Sequence, residues 1–234
     1  MTSFDDIMTG EMDLNQILSG PLRKSLQNAD FKLQLINEEE EETRDADLLI
    51  EAVFPENEAE EYKPGNILSC QKQVICLACL KNGIVLGCIT ASFDLEENTV
   101  SLHSLAIDKE VRNKKLGSVL MLAMHDICFP LGIKSMSLIS SEYGKSFYKS
   151  FGFTEMAHQS YETSLPFKEE IIRQKISAFD SINQQNSTAH ANETELGKNK
   201  RRREPKPSMV FFNNHESDSV EDLSTRKQKC SRTL

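Results

Sequence analysis

Apolar residues recur with regular spacing through the middle of the chain, and the spacing changes from one stretch to the next. FKLQLI (31–36) alternates, which predicts a short strand. EEEETRDADLLIEAVF (39–54) has acids in its first turn and apolar residues at helical spacing, which predicts a helix. VICLACL (74–80) and IVLGCITASF (84–93) flank Asn82–Gly83, a typical hairpin turn, so they predict two paired strands.

The second half of this region continues the series. TVSLHSLAI (99–107) alternates and predicts a strand, whereas SVLMLAMHDICF (118–129) is apolar almost all round, as expected of a helix packed against a sheet. A strand, a short helix and an extended closing segment are then predicted for KSMSLIS, EYGKSFYKSF and TEMAHQSYETSL. The order predicts an α/β fold, with helices on the faces of a mixed sheet.

The pattern is weak at both ends. The pattern predicts a flexible N-terminal arm for residues 1–28 and one domain for residues 29–167. KEEIIRQKISAF (168–179) predicts a short helix, after which the composition is typical of a disordered tail with a basic cluster at 198–206. That cluster is a candidate nuclear address or a contact for an acidic protein partner.

Composition narrows the class of protein. The 234 residues are 38% hydrophobic, enough for an ordinary core, and contain no run of about 18 apolar residues. The N-terminus MTSFDDIMTG is acidic, unlike a signal peptide. We therefore expect a cytoplasmic protein, with the basic cluster as a candidate nuclear signal, and no membrane partner.

Charge is distributed unevenly. Residues 1–167 carry a net charge of −12 and residues 168–234 a net charge of +3, with thirteen acids and two bases between Asp30 and Tyr62. The acids form either a solvated face or a field that attracts small cations such as polyamines. An acidic domain of this kind argues against direct binding of nucleic acid.

Five of the six cysteines lie in or beside apolar runs. CLAC (76–79) has the spacing of a metal ligand pair, but no second pair or nearby histidine accompanies it, and in a strand its two cysteines face opposite sides. Buried free thiols are the better interpretation, and we expect no metal.

The chemically informative segment is RNKKLGS, from Arg112 to Ser118, between a predicted strand and a predicted helix. It resembles the Arg/Gln-x-x-Gly-x-Gly/Ala loop of the GCN5-related N-acetyltransferase (GNAT) superfamily. FYKSFGF, about 30 residues later, is similar to that family's aromatic-Tyr-x-x-x-Gly-Phe signature. The resemblance covers about Phe31 to Leu165 and implies a single acyl-CoA N-acyltransferase domain with a mixed, mostly antiparallel sheet.

Two further stretches resemble a narrower group. LHSLAI is similar to a strand of the arylalkylamine (serotonin-acetylating) N-acetyltransferases, and FPENE to a segment of their fungal polyamine-acetylating relatives. This resemblance implies acetyl transfer from acetyl-CoA to the primary amine of a polyamine or an arylalkylamine, by direct transfer in a ternary complex. The acids at Glu38–Glu61 are candidates for amine capture.

The resemblance also implies a set of acetyl-CoA-binding residues. Backbone groups of Leu105 and Ile107 would pair with the pantetheine arm, and the N–H near Leu105 or Ala106 would donate to the thioester oxygen. The helix N-terminus would bind the diphosphate through main-chain N–H groups, beside the positive charge of the loop. That loop comprises Arg112, Asn113, Lys114, Lys115, Leu116, Gly117 and Ser118. Lys115 replaces a family glycine, so the turn has to accept a Cβ there.

Two residues are implied in proton transfer. His103 is the candidate base, and in simple alternation it shares a face with Ser101, Leu105 and Ile107. The arylalkylamine group has a second histidine where this chain has Ser101, so a single-base or water-relayed route is expected. Tyr148 matches the tyrosine that protonates the leaving CoA thiolate. The structural alternatives are a hydrogen-bonded histidine and a packing tyrosine, and His125 is interpreted as structural or partly exposed.

Two other functions stay open. One is a protein acetyltransferase that acts on lysine or an N-terminus, located on its partner by the basic tail. The other is a catalytically weak acyl-CoA-binding scaffold, suggested by Lys115 and by the missing second histidine.

Overall fold

A seven-stranded sheet organises the fold. The computed structural model describes residues 3–9, 12–37, 41–54, 56–70, 73–142 and 144–196. The strands are β1 Lys32–Ile36, β2 Val74–Lys81, β3 Ile84–Asp94, β4 Thr99–Ile107, β5 Ser135–Ile139, β6 Thr154–Glu155 and β7 Ser160–Ser164. Their order in the sheet is β1-β2-β3-β4-β5-β7-β6. Only β4 and β5 pair in parallel among these neighbours, which confirms the mixed, mostly antiparallel sheet.

Helices cover both faces of this sheet. They are α1 Phe4–Met8, α2 Leu14–Ile17, α3 Gly20–Asn28, α4 Glu41–Val53, α5 Glu56–Tyr62, α6 Pro64–Cys70, α7 Leu116–Cys128, α8 Lys145–Lys149 and α9 Glu169–Leu196. Helix α7 is buried almost all round and forms an apolar core with one face of the sheet, named here the α7 core. Helix α4 forms a smaller core with the opposite face, the α4 core.

The β2–β3 hairpin follows its sequence signal. Asn82 and Gly83 have φ values of 54° and 78°, so both central residues of the turn are left-handed. Such a turn matches the twist of the flanking strands, and glycine and asparagine adopt it most readily.

The two cysteines of CLAC face opposite sides, as alternation predicts. Cys76 belongs to the α4 core and Cys79 to the α7 core, and both are free thiols. Burial raises the pKa of each thiol to about 12, so neither is reactive near neutral pH. Within the described residues, no cluster of metal-ligating side chains is present.

The predicted flexible arm at residues 1–28 is wrong for the part of it that the structure describes. Helices α1 to α3 lie there, and six apolar side chains of this segment are buried in the α7 core: Phe4, Ile7, Leu14, Leu18, Leu22 and Leu26. Backbone N–H of Ser19 also donates to Asp126 at 2.8 Å, which attaches this segment to α7. The segment was missed because its helices are short and their periodicity is weak.

The C-terminal part differs from the sequence prediction in two ways. The predicted extended segment 154–165 is two strands, β6 and β7, joined by a 3₁₀ turn at Ala157–Gln159. The helix predicted for 168–179 continues to Leu196 as α9. The basic cluster at 198–206 lies outside the described residues. None of the helices that the structure describes is both long and apolar enough to cross a membrane.

Candidate active site

The sheet opens between β4 and β5. Their parallel pairing ends at Leu102 opposite Leu138, while β4 continues to Ile107. The N–H of Asp108 donates to the carbonyl of Leu86 on the β3 side. Because backbone groups alternate along a strand, the N–H and C=O groups of Leu105 and Ile107 face the gap, and those of Ala106 face β3. This exposed edge is suited to pair with an extended ligand.

A one-residue bulge lies in β4 at His103. Ser104 is opposite Thr90 and Leu102 is opposite Ala91, so His103 has no partner of its own in β3. The extra residue changes which side chains share a face. Leu102 and Leu105 both pack against the α7 core, although three positions separate them. The predicted shared face of His103 with Leu105 and Ile107 is therefore wrong.

His103 lies among serines on the side of the sheet that carries α4. Its Nε2 is 2.8 Å from Ser92 Oγ. Ser101 is directly opposite Ser92, and its hydroxyl is 3.2 Å from that of Ser137. Burial lowers the pKa of His103, which favours the neutral imidazole. Around His103 this side of the sheet therefore carries a row of hydroxyl groups.

Tyr148 is fixed by the elements around the start of α8. Its ring packs against the edges of Phe147 and Phe153. A Cβ added at Gly144 would lie 2.7 Å from Ser140 Oγ and 3.0 Å from Tyr148 Cε2, so glycine is needed for this packing. Burial raises the pKa of Tyr148 to about 12. The phenol therefore keeps its proton across the neutral range.

The charged loop forms a tight turn into α7. Arg112–Lys114 is a 3₁₀ turn, and Lys115 adopts a left-handed conformation with φ 62° and ψ 21° before the helix begins at Leu116. A non-glycine residue in this region is strained by about 1–2 kcal/mol. The turn thus accepts the Cβ of Lys115, at an energetic cost that glycine would avoid.

The first turn of α7 presents its backbone to the gap. The N–H groups of Ser118 and Val119 donate to the carbonyl of Lys115. The N–H groups of Leu116 and Gly117 precede any carbonyl that the helix could offer them. A Cβ added at Gly117 would meet Phe147 at 3.5 Å, an ordinary contact, so the protein itself does not require glycine there. The absence of a side chain at Gly117 instead leaves room for an anion to approach the backbone closely.

These features line one cavity of about 1260 Å³. Eight of the residues identified from the sequence contribute to its walls: His103, Leu105, Ile107, Arg112, Lys115, Gly117, Ser118 and Tyr148. The other four, Ala106, Asn113, Lys114 and Leu116, lie in the same segments but outside the lining. The cavity therefore brings together an imidazole, a phenol and the turn that begins α7.

Comparison with known proteins identifies the family of this domain. The sequence model of the acetyltransferase (GNAT) family matches residues 34–153, about half of the chain. The chain belongs to the GNAT acetyltransferase family. No curated protein sequence matches it significantly.

Solved GNAT structures share the fold at low identity. An N-acetyltransferase of this family from Escherichia coli, solved in complex with CoA, is 17% identical with a TM-score of 0.50, over 58% of this chain and 82% of its own. A GNAT protein from Desulfovibrio desulfuricans is 13% identical with a TM-score of 0.51, over 58% of this chain and 99% of its own. At such identities the likeness concerns the fold alone.

Several walls of the GNAT cavity were not found from the sequence. Phe54 and Tyr62, from the end of α4 and from α5, form an aromatic pair with ring centroids 4.9 Å apart. Ser104 is buried, and its hydroxyl has no partner among the described residues. Lys175 reaches the cavity from α9. Phe54 belongs to the FPENE stretch, but that resemblance assigned it no place in a site, and the packing of distant elements brings all these residues together.

The acids expected to capture an amine are placed differently from the prediction. No carboxylate is found among the described residues that line the cavity. Asp47 accepts the N–H of Gly65, and Glu51 and Glu60 both pair with Lys63. The side chains of residues 38–40 and 55–58 lie outside the described residues. These three acids are therefore occupied by structural contacts.

Proposed function

We propose that this GNAT acetyltransferase moves the acetyl group of acetyl-CoA to the primary amine of a small acceptor, by direct transfer in a ternary complex. The observation that carries the proposal is the single cavity that begins at the α7 turn, follows the free edge of β4 and reaches both His103 and Tyr148. A histidine and a tyrosine with purely structural roles would have no reason to face the same cavity.

Binding of the donor follows from the free backbone groups. The diphosphate would accept hydrogen bonds from the N–H groups at the start of α7, with Arg112 and Lys115 adding positive charge. The pantetheine arm would pair with Leu105 and Ile107 in the place that β5 leaves open. Since the N–H of Ala106 faces β3, the N–H of Leu105 is the better donor to the thioester oxygen. A preorganised donor of this kind contributes about 3 kcal/mol to transition-state stabilisation.

Proton transfer is assigned to the two side chains at the gap. The amine nitrogen attacks the thioester carbonyl carbon, the C–N bond forms and the C–S bond breaks. His103, held at Nε2 by Ser92, takes the proton that the amine loses. Tyr148 gives a proton to the departing thiolate. Burial raises the pKa of this phenol to about 12, so Tyr148 carries the proton that it donates at neutral pH.

The acceptor end of the cavity favours an arylalkylamine over a polyamine. Phe54 and Tyr62 offer aromatic faces to an aryl group or, by cation–π attraction, to an ammonium. Ser104 adds a polar side chain to this wall, although its hydroxyl is buried and has no partner among the described residues. A polyamine carries several separated charges, and the described walls offer no carboxylate to pair with them.

An acceptor panel tests this proposal. Purified protein with labelled acetyl-CoA is offered tryptamine, spermidine, short peptides and histone tails. We expect tryptamine to be acetylated most efficiently, and Phe54→Ala to reduce its use more than that of spermidine. If peptides are acetylated and the small amines are not, the protein is a protein acetyltransferase. If CoA binds but no acceptor is acetylated, the result supports a scaffold.

A further inference from the structure

Helix α9 follows the segment that the family model matches and yet forms part of the catalytic domain. The match ends at residue 153, whereas α9 begins at Glu169. Phe179 is buried in the α7 core, and Ile171, Ile172 and Ile176 pack against it. These contacts fix the first turns of α9 relative to the sheet, so a side chain on them has a defined position.

Lys175 projects from these turns into the donor end of the cavity. Its Nζ donates to Ser150 Oγ at 2.5 Å and lies 4.5 Å from the ring centroid of Phe151. Within the part of the chain that the structure describes, no carboxylate forms an ion pair with Lys175. The nearby Arg173, by contrast, is exposed and pairs with Glu169. Neutral groups therefore hold an ammonium at the cavity wall.

A second lysine lies close to this ammonium. Lys115, at the entrance to α7, lines the same cavity as Arg112 and Lys175. Burial, and then the charge of Lys115, lower the pKa of Lys175, so the two ammonium groups are close enough to repel each other. Among the described lining residues no acid offsets this repulsion, whereas a bound anion would do so.

We propose that Lys175 is a phosphate-binding residue for the CoA nucleotide, acting with Lys115 across the mouth of the donor site. The inference rests on the proposed use of acetyl-CoA. A lysine ammonium binds a phosphate as a point charge through up to three N–H donors. CoA offers two kinds of phosphate, the central diphosphate and the 3′-phosphate of the ribose. Helix α9 thereby contributes donor affinity from outside the family-matched segment.

Calorimetric titration with CoA and with 3′-dephospho-CoA tests this role. We expect Lys175→Gln to weaken CoA binding about tenfold, the usual effect of losing a charged hydrogen bond. Lys175→Arg should retain most of the affinity. Lys168→Gln, at an exposed lysine just before α9, is the matched control and should bind CoA as the wild type does. The loss of CoA affinity in Lys175→Gln should become smaller as the salt concentration is raised.

The two nucleotides identify the phosphate. A loss that disappears with 3′-dephospho-CoA assigns Lys175 to the 3′-phosphate, and an equal loss with both assigns it to the diphosphate. Because the lysine stem also packs on Phe151, Lys175→Met serves as a second variant that keeps an apolar stem. Wild-type CoA affinity in a folded Met or Gln variant would overturn the inference. Failure of the wild type to bind CoA would reject the proposed function itself.

Discussion

His103 owes its place to a single inserted residue. His103 lies on the serine side of the sheet with Ser101, and the bulge beside it moves Leu105 to the α7 side. Apolar alternation identified the strand correctly but could not reveal the bulge, because buried residues still alternate along β4. The residue type and its segment were thus predictable, and its neighbours Ser92 and Ser104 were not. Family resemblance, rather than periodicity, singled out Tyr148.

The pH dependence of catalysis should report His103. Burial lowers its pKa below the usual 6.5, so the imidazole is mostly neutral at pH 7 and kcat/KM should fall only below pH 6.5. His103→Gln should reduce kcat about 100-fold, remove this acidic limb and move the optimum upward, since the free amine fraction then controls the rate.

CoA affinity is the control for this variant and should be unchanged. Ser92→Ala, which removes the 2.8 Å contact to Nε2, should give a smaller loss of kcat. A pH–rate profile that His103→Gln leaves unaltered would eliminate His103 as the base.

Tyr148→Phe should lower kcat about tenfold or more without weakening acetyl-CoA binding, because it removes the proton donor and keeps the ring. Since burial raises the pKa of Tyr148 to about 12, wild-type activity should show no decline from phenol ionisation below about pH 11. Steady-state kinetics and calorimetry measure the two effects. Tyr161→Phe, a buried tyrosine of β7 outside the cavity lining, is the control, and equal turnover in both variants would reject the assignment.

At the scale of elements, β4 and α7 carry the donor site. Strand β4 has the predicted bounds, and α7 begins two residues before its predicted start, because apolar patterns are strong where an element is buried. The left-handed Lys115 was anticipated only as a position that must tolerate a Cβ. Helices α1 to α3 escaped prediction for the opposite reason: packing on α7, more than local pattern, stabilises them.

The variant Gly117→Ala should affect CoA binding without lowering the stability of the fold. The added Cβ would make only ordinary contacts, and alanine is favoured over glycine in helices by up to about 1 kcal/mol, so the melting temperature should stay the same or rise. CoA affinity should fall at least about tenfold, because the methyl group occupies the approach to the N–H groups. Thermal melting and calorimetry together measure this.

Lys115→Gly is the converse variant. Glycine relieves the left-handed strain, about 1–2 kcal/mol, and leaves the backbone of the turn intact while it removes one charge. For the first variant, Gly117→Ala, unaltered CoA affinity would show that the diphosphate does not bind at the start of α7.

At the scale of the whole molecule, two apolar cores position the elements that line the cavity. The α7 core positions the donor end through α7, α8 and α9, and the α4 core positions the acceptor wall through α4 and α5. The fold class followed from the order of elements and two motifs. The places of the aromatic wall and of Lys175 did not follow from the sequence, since elements that are separate along the chain meet there only through tertiary packing.

The central claim is direct transfer to a primary amine, and initial-velocity kinetics test it most directly. Labelled acetyl product and free CoA are quantified in the same reactions while acetyl-CoA and tryptamine are both varied. We predict one CoA released per amine acetylated, with intersecting double-reciprocal lines that indicate a ternary complex. Parallel lines, or CoA release that does not depend on the amine, would contradict the account.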